Sequence, residues 1–191
     1  MNRPMTGPDP WRAPVTVAHI PDTGLHRELE ASATERQAMA DIAGVRDILS
    51  AQATFDVVPK SGGRVQVTGH VRARVGQTCV VTLDPIESAI DEEVDLVFAP
   101  EAEVRRLADL IEEGQDDEEP PEVADPPESI VNGIIDLGRI ATDALFLAID
   151  PYPRKPGVVF EAGVTALDPE DHPFAALKAL QDNKQGKKKG K

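Results

Sequence analysis

Cysteine, aromatic residues and long apolar runs are all scarce in this chain of 191 residues. Its one cysteine, Cys79, cannot form an internal disulfide, which fits a reducing compartment and makes the cytoplasm the expected location. The longest apolar run, ALFLAI at Ala144–Ile149, falls far short of the ~18 residues that a membrane-spanning helix needs. The opening MNRPMTGPDPWRAP has no apolar core of a secretory signal, so no membrane association is expected. Aromatic residues make up only 4%, so the core must rest on Val, Ile, Leu and Ala. Catalytic and ligand-binding motifs are equally thin. Ser61–Gly63 lacks the Lys-Ser/Thr pair and the helix that complete a phosphate-binding loop. His19, His26, His70 and His172 are scattered at no common ligand spacing. Neither a cofactor, a metal nor a small-molecule substrate is therefore expected, and the chain reads as a non-enzyme.

What the chain does have is charge, unevenly placed. The net charge is −14. DLIEEGQDDEEPPEVADPPE (109–128) holds acids and no bases, including Glu112, Glu113, Asp116, Asp117, Glu118 and Glu119. The last residues, from Lys178, carry six lysines against one aspartate. Such asymmetry points to charged partners, or else to two solvated segments.

The hydrophobic pattern predicts an α+β fold. Residues 1–14, polar and Pro-rich, read as a flexible lead-in to one domain over 15–180, with a Lys-rich flexible tail over 181–191. Short strands are expected at Val15–Ile20 and Gly24–Ala31. Ser32 and Glu35 stand in the capping-box relation, and Gly44 can stop the chain, which places a helix over 33–43. From Val45 the period becomes two. Val65, Val67, Gly69, Val71, Ala73 and Val75 alternate with Arg64, Gln66, Thr68, His70, Arg72 and Arg74, giving one buried and one wet face. QTCVVTL and then IESAIDEEVDLVF extend this into a curled antiparallel meander, with Cys79 inside a strand. An acidic, Pro-rich loop over 101–128 interrupts the sheet, and ESIVNG returns as a short strand. Leu137, Ile140, Ala141, Ala144, Leu145 and Ala148 then share one face of a principal helix capped by Asp136. HPFAALKAL adds a shorter helix, and Leu145, Leu147 and Phe174 are candidates for the core.

Cys79 can be read three ways: as a nucleophile, as half of a metal site, or as a small buried hydrophobe. A nucleophile requires a depressed pKa and a base within reach, for which His70 is a candidate. Its neighbours Val80 and Val81 favour the buried reading.

Three blocks of sequence carry a resemblance. A cysteine is followed by a short apolar run, Pro85 and a strand ending Val-Phe-Ala-Pro. Ile135-Asp136-Leu137 opens a helix that closes at Leu145–Ile149, before Pro151 and Pro153. His172-Pro173-Phe174-Ala-Ala-Leu stands near the C-terminus. In this order the blocks resemble the YceD or DUF177 family of large ribosomal RNA subunit accumulation proteins. Many members have a C-x-x-C pair at the first block; here Thr82 takes the second position, so a metal role of that pair does not transfer. His172 stands where the family usually has Asn.

The resemblance implies a non-enzymatic bacterial or plastid factor for synthesis, processing or stability of large-subunit (23S) rRNA. Two mechanisms follow from the charge pattern. The acidic body could hold a basic ribosomal protein through the carboxylates of 112–119. Alternatively Lys184, Lys187, Lys188, Lys189 and Lys191, helped by Arg64, Arg72 and Arg74, could contact rRNA phosphates directly. A thiol- or metal-dependent enzyme at Cys79 is the third reading.

Overall fold

The computed structural model describes residues 9–113 and 126–159. Strand β2 (Leu25–Glu30) leads into helix α1 (Ala33–Ala43), and strands β3 (Asp47–Pro59), β4 (Val65–Thr78) and β5 (Pro85–Pro100) follow. Helix α2 is Glu101–Glu113, and β6 is Glu128–Ile130. β1 (Pro14–Thr16) pairs antiparallel with β7 (Ile134–Asp136), and α3 (Leu137–Ala148) comes last. The larger sheet has the order β2-β3-β4-β5-β6. Its first four strands form the expected antiparallel meander, whereas β6 joins β5 in parallel, with Phe98 opposite Glu128. The sheet does not close into a barrel.

Local sequence signals explain both capped helices. Ser32 accepts the Glu35 N–H at 3.3 Å, and Glu35 accepts the Ser32 N–H at 2.7 Å. Gly44 ends α1 at φ 67°, a left-handed conformation that favours glycine. Asp136 caps α3 by accepting the N–H groups of Gly138 at 3.1 Å and Arg139 at 3.4 Å. On the sheet, Val65, Val67, Val71, Ala73 and Val75 are buried, while His70, Arg72 and Arg74 are exposed. Leu137, Ala141 and Leu145 of α3 and Met39 and Ala40 of α1 complete the same core. The two helices meet where the Thr142 hydroxyl lies 3.7 Å from the Met39 sulfur.

Four expectations need correcting. The segment 9–14 is no loose lead-in: Trp11 is only 3% exposed and belongs to the core. Its carbonyl crosses the first turn of α3 so closely that a Cβ on Gly138 would meet it at 2.6 Å. The loop expected from residue 101 begins as helix α2. Acids in its first turn (Glu101, Glu103) suit the helix N-terminus, and Glu101 pairs with Arg105 one turn on. Leu145 is buried, but Leu147 is 88% exposed and so is no part of the core. Cys79, expected inside a strand, lies just past the end of β4.

Candidate functional site

The β4–β5 hairpin turns at residues 79–84. Cys79 donates its N–H to the Asp84 carbonyl at 2.8 Å, and Leu83 donates back to the Cys79 carbonyl at 2.9 Å. Leu83 lies at φ 62°, unusual for a leucine, which lets the loop close on itself. Cys79 therefore heads a loop and is not inside a strand. The turn signal Asp84-Pro85 stands at the loop's far end, where Pro85 opens β5 and needs no N–H for the ladder.

The thiol is fully buried. Its Sγ accepts the N–H of Thr82 at 3.5 Å and of Lys155 at 3.4 Å. The Thr82 side chain first, then these backbone N–H groups, lower the thiol pKa from 9.0 to about 6. The chain leaving α3 is bound to the same loop at several further points. Val80 donates its N–H to the Pro153 carbonyl at 2.9 Å. Gln77 donates its side-chain amide to the Asp150 carbonyl at 2.8 Å and accepts the Ser88 hydroxyl at 2.9 Å. Lys155 Nζ meets Asp84 Oδ2 at 3.1 Å and, through that hydrogen bond, holds the Asp84 carboxyl below its ordinary pKa.

Two of the three resemblance blocks thus meet in space, although more than fifty residues separate Cys79 from Asp150–Pro153 in the sequence. Pro153 is buried in this clasp, whereas Pro151 is exposed. Asp136 and buried Leu137 sit at the other end of α3. There Asp136 also accepts the Ala13 N–H at 2.8 Å, and Leu137 donates to the Ala13 carbonyl at 3.1 Å. Pro173 and Phe174 lie outside the described residues.

Sequence reasoning missed Gln77 and Lys155. Gln77 continues the inward series Val71, Ala73, Val75 and is 5% exposed, so a polar residue in an inward register was a legible signal. Lys155 carried no local signal, because its partners come from the hairpin tip.

The three arginines singled out for RNA each have a carboxylate partner. Arg64 pairs with Glu103, Arg72 with Asp91 at 3.1 Å, and Arg74 with Glu87. The hydrogen bond to Glu103 raises the Arg64 pKa and lowers that of Glu103. Around them Glu28, Glu30, Asp56, Glu93 and Asp95 add further acids to the solvent-facing surface of the sheet. The face is charge-balanced to acidic, the opposite of a phosphate cradle. Of the acids singled out for a basic partner, Glu112 and Glu113 fall in the last turn of α2. Asp116, Asp117, Glu118 and Glu119 lie outside the described residues, as do Lys184, Lys187, Lys188, Lys189 and Lys191.

Cys79 and His70 are not brought together. The eight residue steps of β4 from His70 to Thr78, at about 3.3 Å each, span roughly 25 Å along the strand, and Cys79 lies beyond them with no solvent access. Among the described residues, no group of three or more His, Cys, Asp and Glu side chains is arranged to hold a metal. None of these residues makes a helix long and apolar enough to cross a membrane. A groove of about 870 Å³ runs between β5 and α3, past β6 and β7.

Fold and site together define an α+β module with a clasped β-hairpin, an acidic sheet face and an open groove beside β5. The chain belongs to the YceD family, described as large ribosomal RNA subunit accumulation protein YceD, whose model matches residues 67–181. That range holds the hairpin, the clasp and α3. No curated protein and no solved structure matches the chain.

Proposed function

We propose that this protein supports the accumulation of large-subunit (23S) rRNA without catalysing a reaction, by binding a basic ribosomal protein in the cytoplasm before it reaches its RNA site. The observation that carries this reading is the pairing of Arg64, Arg72 and Arg74 with Glu103, Asp91 and Glu87. With its cations engaged, the sheet face attracts bases and repels phosphates. Complementary charge of this kind speeds encounter and shields a basic client until RNA competes for it.

The test is capture of ribosomal proteins from lysate with the tagged chain, with and without nuclease. A basic ribosomal protein held in a salt-sensitive, nuclease-resistant way is expected, together with a selective fall in mature large-subunit rRNA in cells lacking the protein. Capture that vanishes with nuclease would sink the reading. It would favour direct rRNA contact by Lys184, Lys187, Lys188, Lys189 and Lys191, a clustering that supports a second reading.

A further inference from the structure

β5 is paired along nearly its whole length on one side but not on the other. β4 covers it from Pro85 to Phe98, whereas β6 covers only Phe98–Pro100. Among the described residues, no backbone hydrogen bond reaches the outer edge of β5 between Ile86 and Val97. Such an edge presents a row of N–H and C=O groups to any strand that can approach.

This edge borders the groove between β5 and α3. Val94, Phe98, Ile140 and Ala144 give the groove an apolar floor, and Leu147 lines it while 88% exposed. The rim is acidic, with Asp9, Glu92, Glu93, Asp95 and Glu128. Its two arginines are already engaged: Arg12 with Asp136 at 3.3 Å and Arg139 with Asp143 at 3.6 Å. Ser129, which lines the same groove, has a buried Oγ with no hydrogen-bond partner among the described residues. A buried hydroxyl left unpaired costs stability until a partner supplies one.

We propose that this edge and groove bind an extended segment of a basic protein, added to the sheet as a strand beside β5. The inference rests on the basic-partner reading above and names the surface that reading requires. Strand periodicity sets the chemistry of the segment. Alternate side chains point to opposite faces, so an apolar series fills the groove while a cationic series meets the acids. A second copy of this chain is disfavoured, because pairing β5 with itself sets Glu87, Asp91, Glu92, Glu93 and Asp95 against their own kind. RNA is disfavoured for the same reason, since the rim repels phosphate.

The test titrates the full chain with a short labelled peptide alternating lysine and valine. Salt-sensitive binding is expected. It should weaken by about tenfold or more in Leu147→Glu and in the double variant Glu92→Lys/Glu93→Lys. Binding should also be lost when alternate backbone nitrogens of the peptide are methylated, because the ladder donors are gone. All three substituted positions are exposed, so the variants should keep the wild-type melting curve. No binding, binding undiminished in both variants, or equal binding of the methylated peptide overturns the proposal.

A photo-crosslinker at position 147 separates the occupants. A cross-link to the peptide supports the proposal, and one to a second copy or to residues 160–191 of the same chain overturns it. Lysate capture separates the two levels of the argument. No nuclease-resistant capture by the wild-type chain removes the partner reading. Capture that is equal in wild type and variants removes only the groove.

Discussion

The sulfur of Cys79 accepts the backbone N–H of Lys155 at 3.4 Å, across 76 residues of sequence. With the Val80–Pro153 and Gln77–Asp150 hydrogen bonds, this contact ties the tip of the longest hairpin to the chain that leaves α3. The thiol is a structural acceptor here, and that role has a pH signature.

In the folded chain the thiol pKa is about 6, against an ordinary 9.0. Between those values the unfolded chain binds a proton that the folded chain does not, so stability rises with pH across the window. The contribution is complete above about pH 9 and is lost as pH falls through about 6. Urea midpoints of the wild type should therefore climb from pH 6 to 9 relative to those of Cys79→Ala, and the difference between the two should stop changing in acid. Parallel curves between pH 6 and 9 would show that the sulfur keeps its proton in the fold.

Asp136 joins two structural roles in one carboxylate, capping α3 and accepting the Ala13 N–H. Asp136→Ala should cost about 1–2 kcal/mol in urea unfolding, and Asp136→Asn should recover most of it, since asparagine caps nearly as well.

Gly138 leaves room for the Trp11 carbonyl, and a methyl group there would sit 2.6 Å from it. Gly138→Ala should cost about 1–3 kcal/mol through overpacking. Because Trp11 is the only tryptophan, its fluorescence should shift to the red as the N-terminal segment lifts off. Unshifted emission with unchanged stability would mean that the segment is not docked there.

Arg72 and Arg74 are exposed and ion-paired. Exchanging either for glutamine should change stability by less than about 1 kcal/mol, as exposed pairs do. Any retention on RNA should also be unchanged. A flatter salt dependence of RNA binding in these variants would return the strand face to the RNA reading.

The elements that could be read in advance are those whose signals are local. Ser32, Glu35 and Gly44 mark both ends of α1, and Asp136 with its apolar spacing marks α3. Alternation identifies β4 down to which arginines face water. Elements that depend on distant partners were not legible. Trp11 sits in a Pro-rich stretch, and the helix it packs on begins more than a hundred residues later. The Cys79 loop hid because its tightest residue, Leu83, holds a conformation that leucine rarely signals. Helix α2 was masked by the prolines and acids that follow it, although its own first turns favour a helix. For the candidate site, sequence identified Cys79 and Pro153 as separate marks. The meeting of their two segments, through Val80–Pro153 and Cys79–Lys155, belongs to the tertiary fold alone.

The β1–β7 pairing has a consequence for the birth of the molecule. Pro14 lies opposite Asp136, so β1 finds its partner only after the whole meander between them has been synthesised. Until then Trp11 has no seat, and the inner surface of the meander lacks its principal cover. Long-range closure of this kind is intrinsically slow. On the ribosome, β1 emerges long before the strand it pairs with, and the half-made chain presents an uncovered apolar sheet to its surroundings.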